Sequence, residues 1–237
     1  MTVIKAWTQD DGQQPRATMS EESQRPRDVP GALHGSRLVT LPHVRPHVEQ
    51  CLAFVSGQGR VLVEVGFDHG RRLHATAREN PEWRVLGLEV RKRRVEEAQA
   101  RAARDGLDNL LAWRMDARTV FASVLPPASV DLVEVLFPTP WWNPALRQKR
   151  LLFDTHFVSD VARALKPGGL LHTATDVDDY AETIDNCLSQ NRRFIALGVD
   201  EGMVERPRCS QQSRRQWSCR RDGIPWQTRF WRRDAGA

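Results

Sequence analysis

The chain has 237 residues, 40% of them hydrophobic and 27% charged, with 35 Lys and Arg against 30 Asp and Glu. That length and composition suit one globular domain of ordinary size and exclude a fibrous or wholly disordered chain. No apolar run approaches the roughly 20 residues that span a bilayer. The opening MTVIKAWTQDDGQQ has neither the basic nor the apolar region of a secretory signal. The cysteines (Cys51, Cys187, Cys209, Cys219) lack CxxC spacing, which predicts reduced thiols and a cytoplasmic protein without a membrane anchor. Between Glu205 and Arg233, nine Arg stand against two acidic residues, so the positive charge belongs to the segment 205–233. Such a segment suits a phosphate-rich partner or a plain solvated surface.

Residues 1–36 are poor in aliphatic side chains and rich in Gln, Arg, Ser and Pro, predicting an irregular N-terminal arm ahead of a domain over 37–233. His43 and His47 have the i, i+4 spacing of a metal pair. Pro46 lies between them and no further ligand completes a set, so they read as surface histidines at a helix start, and no metal is expected. From residue 60 onward, strands alternate with helices. RVLVEV is a buried strand, followed by a glycine turn and a helix through HATAREN. WRVLGLEV is a second strand, RKRRVEEAQARAARDG a helix closed by Gly106, and LLAWRM a third strand. ARTVFASVL is a short helix, SVDLVEVLF a fourth strand, and FPTPWWNPALRQKR a proline-broken loop. LLFDTHFVSDVARAL is a helix stopped by KPGG, LLHTATD a fifth strand, VDDYAETIDNCLSQ a helix and RRFIALGV a strand. DGIPWQTRFWRR returns as an antiparallel last strand. Repeated βα units predict an α/β fold: a mostly parallel seven-stranded, Rossmann-like sheet with helices on both faces.

Open sheets of this kind bind ligands at the carboxyl ends of their strands. Glu64 lies in the first strand before Gly66, and VEVGFDHG then runs through Asp68 to Gly70. Glu89 ends the second strand, Asp116 follows the third, and Asp176 ends the fifth. A carboxylate about 20 residues past a glycine turn is placed to accept from ribose hydroxyls, which is the position of Glu89. Asp116 is placed to accept from an exocyclic amine of adenine. A helix N-cap is the structural alternative for each of these residues. Together they predict a nucleoside-cofactor site. Glycine is the usual residue where Asp68 stands, because the turn needs close approach and left-handed backbone, and Asp tolerates that region at modest cost.

VEVGFDHG, LGLEV, MDA, LFPTPWW, LKPGG and HTATD together resemble the bacterial tRNA (guanine-N7)-methyltransferase family of class I S-adenosylmethionine (SAM)-dependent enzymes. The resemblance covers about residues 60–232, and the proline–tryptophan loop is its specific part. It implies SAM as cofactor with S-adenosylhomocysteine as product, and N7 of guanine in tRNA (of the guanine-46 type) as acceptor. Glu64, Gly66, Asp68 and Gly70 would then lie on the methionyl side, Glu89 on the ribose and Asp116 near the adenine. Asp176 would grip the acceptor base as a catalytic carboxylate, with Trp141, Arg147, Lys149 and Arg150 on the substrate side.

The chain departs from that pattern. Thr139 stands where the family's F-P-D-P-W loop carries a carboxylate, and most of the basic run after Trp141 is replaced, leaving Arg147, Lys149 and Arg150. Near Gly223 the family's T-x-[FY]-E becomes SRRQ, with Ser213 keeping the hydroxyl and Gln216 replacing the Glu. Thr139 and Gln216 hydrogen-bond but do not stabilise a developing cation as carboxylates would. Two alternatives therefore stand beside tRNA methylation: a paralogue that methylates a small nitrogen heterocycle, and a non-catalytic homologue that binds SAM or RNA. Trp217, Trp226 and Trp231, interleaved with Arg214, Arg215, Arg220, Arg221, Arg229 and Arg232, read as an RNA-binding surface or as a hairpin with one packed face. His172 lies inside a strand and reads as a core histidine.

Overall fold

In the computed structural model, which describes residues 44–139 and 151–236, the apolar runs become strands. They are β1 (Arg60–Val65), β2 (Trp83–Glu89), β3 (Leu110–Arg114), β4 (Val130–Leu136), β5 (Leu165–Thr175), β6 (Phe194–Leu197) and β7 (Gln227–Arg233). The described helices are α1 (Arg45–Val55), α2 (Arg71–Glu79), α3 (Lys92–Arg104), α4 (Ala117–Ser123), α5 (Thr155–Ala164), α6 (Asp178–Ser189), α7 (Val199–Glu205) and α8 (Arg214–Asp222). One seven-stranded sheet has the order β3-β2-β1-β4-β5-β7-β6. β1 to β5 pair in parallel and β7 pairs antiparallel with both β5 and β6. The expected α/β class and antiparallel last strand are borne out. The order reverses between β1 and β4, which is where an open α/β sheet forms its ligand crevice.

Two-residue periodicity sends alternate side chains of each strand to opposite faces. Val61, Val63, Val133 and Val135 meet Val48 of α1, Val120 of α4, Val158 of α5 and Ile184 of α6 on one face. Leu62, Leu132 and Leu170 meet Leu73 of α2 and Val95 of α3 on the other. Each such fully buried leucine contributes about 2 kcal/mol from burial alone. One step further along, the same face changes character. The register pairs Gly87, Glu64, Glu134, His172 and Phe230 in one row across five strands.

Three boundaries differ from the sequence reading, each for a local reason. α5 starts at Thr155 rather than Leu151 because the Asp154 side chain accepts from Phe157 N (2.8 Å) and fixes the N-terminus there. KPGG does not precede β5 but lies inside it, taken up by the register shift between Val130↔Leu165 and Leu132↔Leu170. The last strand begins only at Gln227, since Arg214–Asp222 is helical and ends at Gly223 in the left-handed region (φ 67). α7 and α8 were not expected. Their sequences carry no apolar stripe of helical period, and contacts with the rest of the fold hold them. A Cβ on Gly202 of α7 would lie 2.1 Å from the Phe230 ring, so glycine lets the helix close on β7.

Candidate active site at the carboxyl ends of the strands

The turn after β1 is built from three left-handed residues, Gly66 (φ 74), Asp68 (φ 52) and Gly70 (φ 64). Gly66 N donates to Leu88 O (2.8 Å) and Gly70 N to Phe67 O (2.8 Å), closing the loop against β2. A Cβ built at Gly66 meets no protein atom within 4 Å, so this backbone faces open space. Below it, Phe67 packs into the core against Gly87, where a Cβ would come within 2.6 Å of its ring. The Asp68 carboxylate turns to Arg94 of α3 (2.6 Å), and Arg94 also faces Glu89 (3.7 Å). Asp68 is therefore an anchor that ties the turn to α3, with its charge met by an arginine.

Glu89 closes β2, with Oε1 accepting from Val90 N (2.9 Å) and Arg91 N (3.0 Å). A carboxylate has about four lone-pair sites, so further acceptance through Oε2 remains open to it. Asp116 is exposed at the end of β3 and caps α4 by accepting from Thr119 N (3.3 Å). The register Val65↔Leu88 and Glu89↔Arg114 lays Gly66, Glu89 and Asp116 along one edge of the sheet. An open glycine turn beside two hydrogen-bond-accepting carboxylates suits the ribose hydroxyls and adenine amine of SAM.

Glu64 is placed differently from its neighbours in the motif. It is buried, and its carboxylate faces Arg72 of α2 (3.2 Å) rather than the open turn. Arg72 also meets Glu134 (2.5 Å), which contacts Arg206 (2.9 Å) and His172 Nδ1 (3.0 Å). Arg72 and Arg206 meet these carboxylates as buried ion pairs. Burial pushes the Glu64 carboxyl up to about 7 against the pull of Arg72. Burial also opposes ionisation of Glu134, yet Arg72 and Arg206 outweigh it and hold that carboxyl well below the usual range. Burial lowers His172 to about 4 despite its bond to Glu134, so the ring is neutral and its Nδ1–H donates. The sequence reading of His172 as a core histidine holds, since it stacks on Phe230 at 4.3 Å. Arg72, Glu134 and Arg206 were missed. The signal available was the repeated V-E-V of β1 and β4, which puts one glutamate at matching depth in two adjacent buried strands.

On the acceptor side, Thr139 and Asp176 leave adjacent strands just beyond the pair Leu136↔Ala174. Thr139 is exposed, whereas the Asp176 side chain is only 11% exposed. Arg215 of α8 donates to Asp176 Oδ2 through Nε (3.0 Å) and Nη2. Ser213 is the N-cap of α8, accepting from Gln216 N (3.1 Å), so its hydroxyl serves the helix. The next arginine, Arg214, donates to His69 Nε2 (3.2 Å) in the glycine turn, leaving the ring proton on Nδ1 towards Glu97 (3.6 Å). α8 thus sits astride the turn and the acceptor carboxylate. The Trp–Arg surface divides: Trp217 is exposed with Arg221 over its ring (4.8 Å), while Trp231 is a core residue. Arg229 pairs with Asp185, and Arg232 with Glu201 and Glu205, on β7, an inner strand of the sheet. Residues 1–36, His43, Trp141, Trp142, Arg147, Lys149 and Arg150 lie outside the described residues.

A family model described as a putative methyltransferase matches residues 58–222. Over 165 residues the chain is 38% identical to a protein of Nitrosococcus oceani named tRNA (guanine-N(7)-)-methyltransferase, covering 69% of each. It is 37% identical over 147 residues to a protein of the same name from Yersinia pseudotuberculosis, covering 62% of this chain and 61% of that relative. Among solved structures, the antibiotic-resistance methyltransferase Kmr superposes with a TM-score of 0.53 at 19% identity, covering 80% of this chain and 94% of that one. At that identity the likeness is one of fold.

Proposed function

The chain belongs to the tRNA (guanine-N7)-methyltransferase family, and on that premise we propose that it methylates N7 of a guanine in tRNA with SAM as methyl donor. One observation carries the reading: the open glycine turn, Glu89, Asp116 and Asp176 line the carboxyl edge of one sheet across its reversal of strand order. In this reading Gly66 and Gly70 give backbone access to the methionyl part, Glu89 accepts from the ribose and Asp116 faces the adenine. When bound, SAM supplies an electrophilic sulfonium methyl group. Guanine N7 carries an in-plane lone pair, so no base on the chain has to remove a proton first. The task of the protein is to fix the ring in line and exclude water. Asp176 accepts from the N1–H and N2 amine edge, which orients the base and favours the cation formed on the ring. Glu64 supports the turn from below through Arg72.

Thr139 and Gln216, uncharged where the family carries carboxylates, favour one second reading: a small nitrogen heterocycle as acceptor. Calorimetry with SAM and S-adenosylhomocysteine, followed by labelled methyl transfer to unmodified tRNA and to a panel of purines and other heterocycles, separates the readings. Transfer to tRNA supports the first. Cofactor binding with transfer only to a free heterocycle replaces it, and absence of cofactor binding refutes both.

A further inference from the structure

The first turn of α8 brings two consecutive arginines to the two halves of the candidate site. Arg214 reaches His69 in the glycine turn, and Arg215 places Nε and Nη2 on the same oxygen, Oδ2, of Asp176. Arg215 is about half exposed at 49%, while Asp176 is nearly covered at 11%, so an incoming ligand meets the guanidinium first. The segment leading into α8 is fixed at several points. Arg206 lies against the buried Glu134, and Arg208 exchanges backbone bonds with the Asn80 side chain (2.7 and 3.1 Å). Ser210 N donates to Glu79 (2.8 Å). Arg215 is thereby delivered to Asp176 by the fold, unlike a mobile surface pair.

From this juxtaposition we infer that Arg215 is a specificity-determining residue of the acceptor site, selecting a ring carbonyl next to a ring N–H. The inference rests on the tRNA guanine reading and deepens it. Guanine presents O6 beside N1–H. The guanidinium donates to O6 while the Asp176 carboxylate accepts from N1–H, so the base takes up both partners of the pair it separates. Neither contact touches N7, which stays free to react. The arrangement disfavours adenine, whose corresponding edge offers an amine donor to the arginine and a ring nitrogen acceptor to the carboxylate, leaving both protein groups facing their own kind.

The experiment compares tRNA carrying guanosine or 6-thioguanosine at the methylated position, in wild type, Arg215→Gln and Arg215→Lys, each checked for an unchanged urea midpoint. Sulfur is a weak acceptor, so wild type should favour guanosine by about tenfold or more in kcat/KM, the size of one charge-assisted hydrogen bond. Arg215→Gln should lose most of that preference, its rate on guanosine falling several-fold further than its rate on 6-thioguanosine, and Arg215→Lys should retain part of it. A merely structural Arg215 would lower both rates equally and keep the ratio, which overturns the inference, as does a faster Arg215→Gln. If wild type makes no 7-methylguanosine, the functional reading fails and the inference with it, an outcome distinct from methylation with an unchanged ratio.

Discussion

Replacing Arg206 by Met tests whether the buried charge row holds the C-terminal segment in place. Arg206 is 2.9 Å from Glu134 Oε1, and its side chain is 13% exposed while that of Glu134 is fully buried. Removing one partner of a buried pair costs about 3–5 kcal/mol when the other charge is stranded. Glu134 is not stranded, because Arg72 at 2.5 Å and His172 at 3.0 Å remain. Methionine also recovers part of the apolar contact made by the arginine stem. The expected loss therefore falls below that range, at about 2–3 kcal/mol. Urea denaturation followed by far-UV circular dichroism measures it, with the slope compared to confirm that the transition is unchanged in kind. Native-state hydrogen exchange should in addition lose protection in α7 and at the start of α8 before the sheet opens. A loss below about 1 kcal/mol, or protection in residues 199–216 equal to wild type, would refute the claim that this pair fastens the segment.

Glu64→Gln should change the pH dependence of stability. With its carboxyl raised to about 7 from 4.5 by burial, the native state holds a proton that the unfolded chain gives up. Stability from this group is present below about 4.5 and falls as pH rises towards 7. The glutamine variant should gain on wild type across that window by up to about 3 kcal/mol in urea titrations, and a constant difference would contradict the assignment. His172 acts in the opposite sense: its value of about 4 lies below the ordinary 6.5, so its stabilisation is lost as pH falls through that interval. His172→Phe should flatten the acid side of the thermal-unfolding profile, and an unchanged acid limb would count against a buried neutral imidazole. Gly87→Ala puts a methyl group 2.6 Å from the Phe67 ring beneath the glycine turn. It should cost about 1–3 kcal/mol of stability and weaken SAM binding in calorimetry, whereas native affinity would show that the turn is not supported from below. Asp68→Ala should cost about 1 kcal/mol or somewhat more through left-handed backbone and the lost Arg94 pair, and Asp68→Gly should cost less. The reverse order in thermal unfolding would mean that the backbone does not govern this position.

Much of the fold was legible because the strands are short apolar runs with turn residues at both ends. RVLVEV lies between Gly59 (φ 104) and Gly66 (φ 74), and β1 occupies those residues and no others. The shared edge of Gly66, Glu89 and Asp116 was legible, because each ends or follows a strand whose order and register bring them together. It was not legible where charge meets charge across the fold. Nothing in the spacing of Glu64, Arg72, Glu134 and Arg206 says that they converge, because α2 and the segment after α7 carry the arginines there. Asp68 could be judged for backbone tolerance but not for direction, which Arg94 decides. Asp176 and Arg215 are 39 residues apart, and α8 lies in a stretch whose Arg-rich composition reads as a tail. That helix depends on its Ser213 cap and on the anchored segment before it, neither of which gives an apolar period.

The most direct measurement is nucleoside mass spectrometry of unmodified tRNA incubated with the purified protein and SAM. The account predicts 7-methylguanosine at a defined guanosine, lost in Asp176→Asn while calorimetric SAM affinity is retained. No 7-methylguanosine at enzyme concentrations equal to the tRNA, with SAM bound, would contradict it.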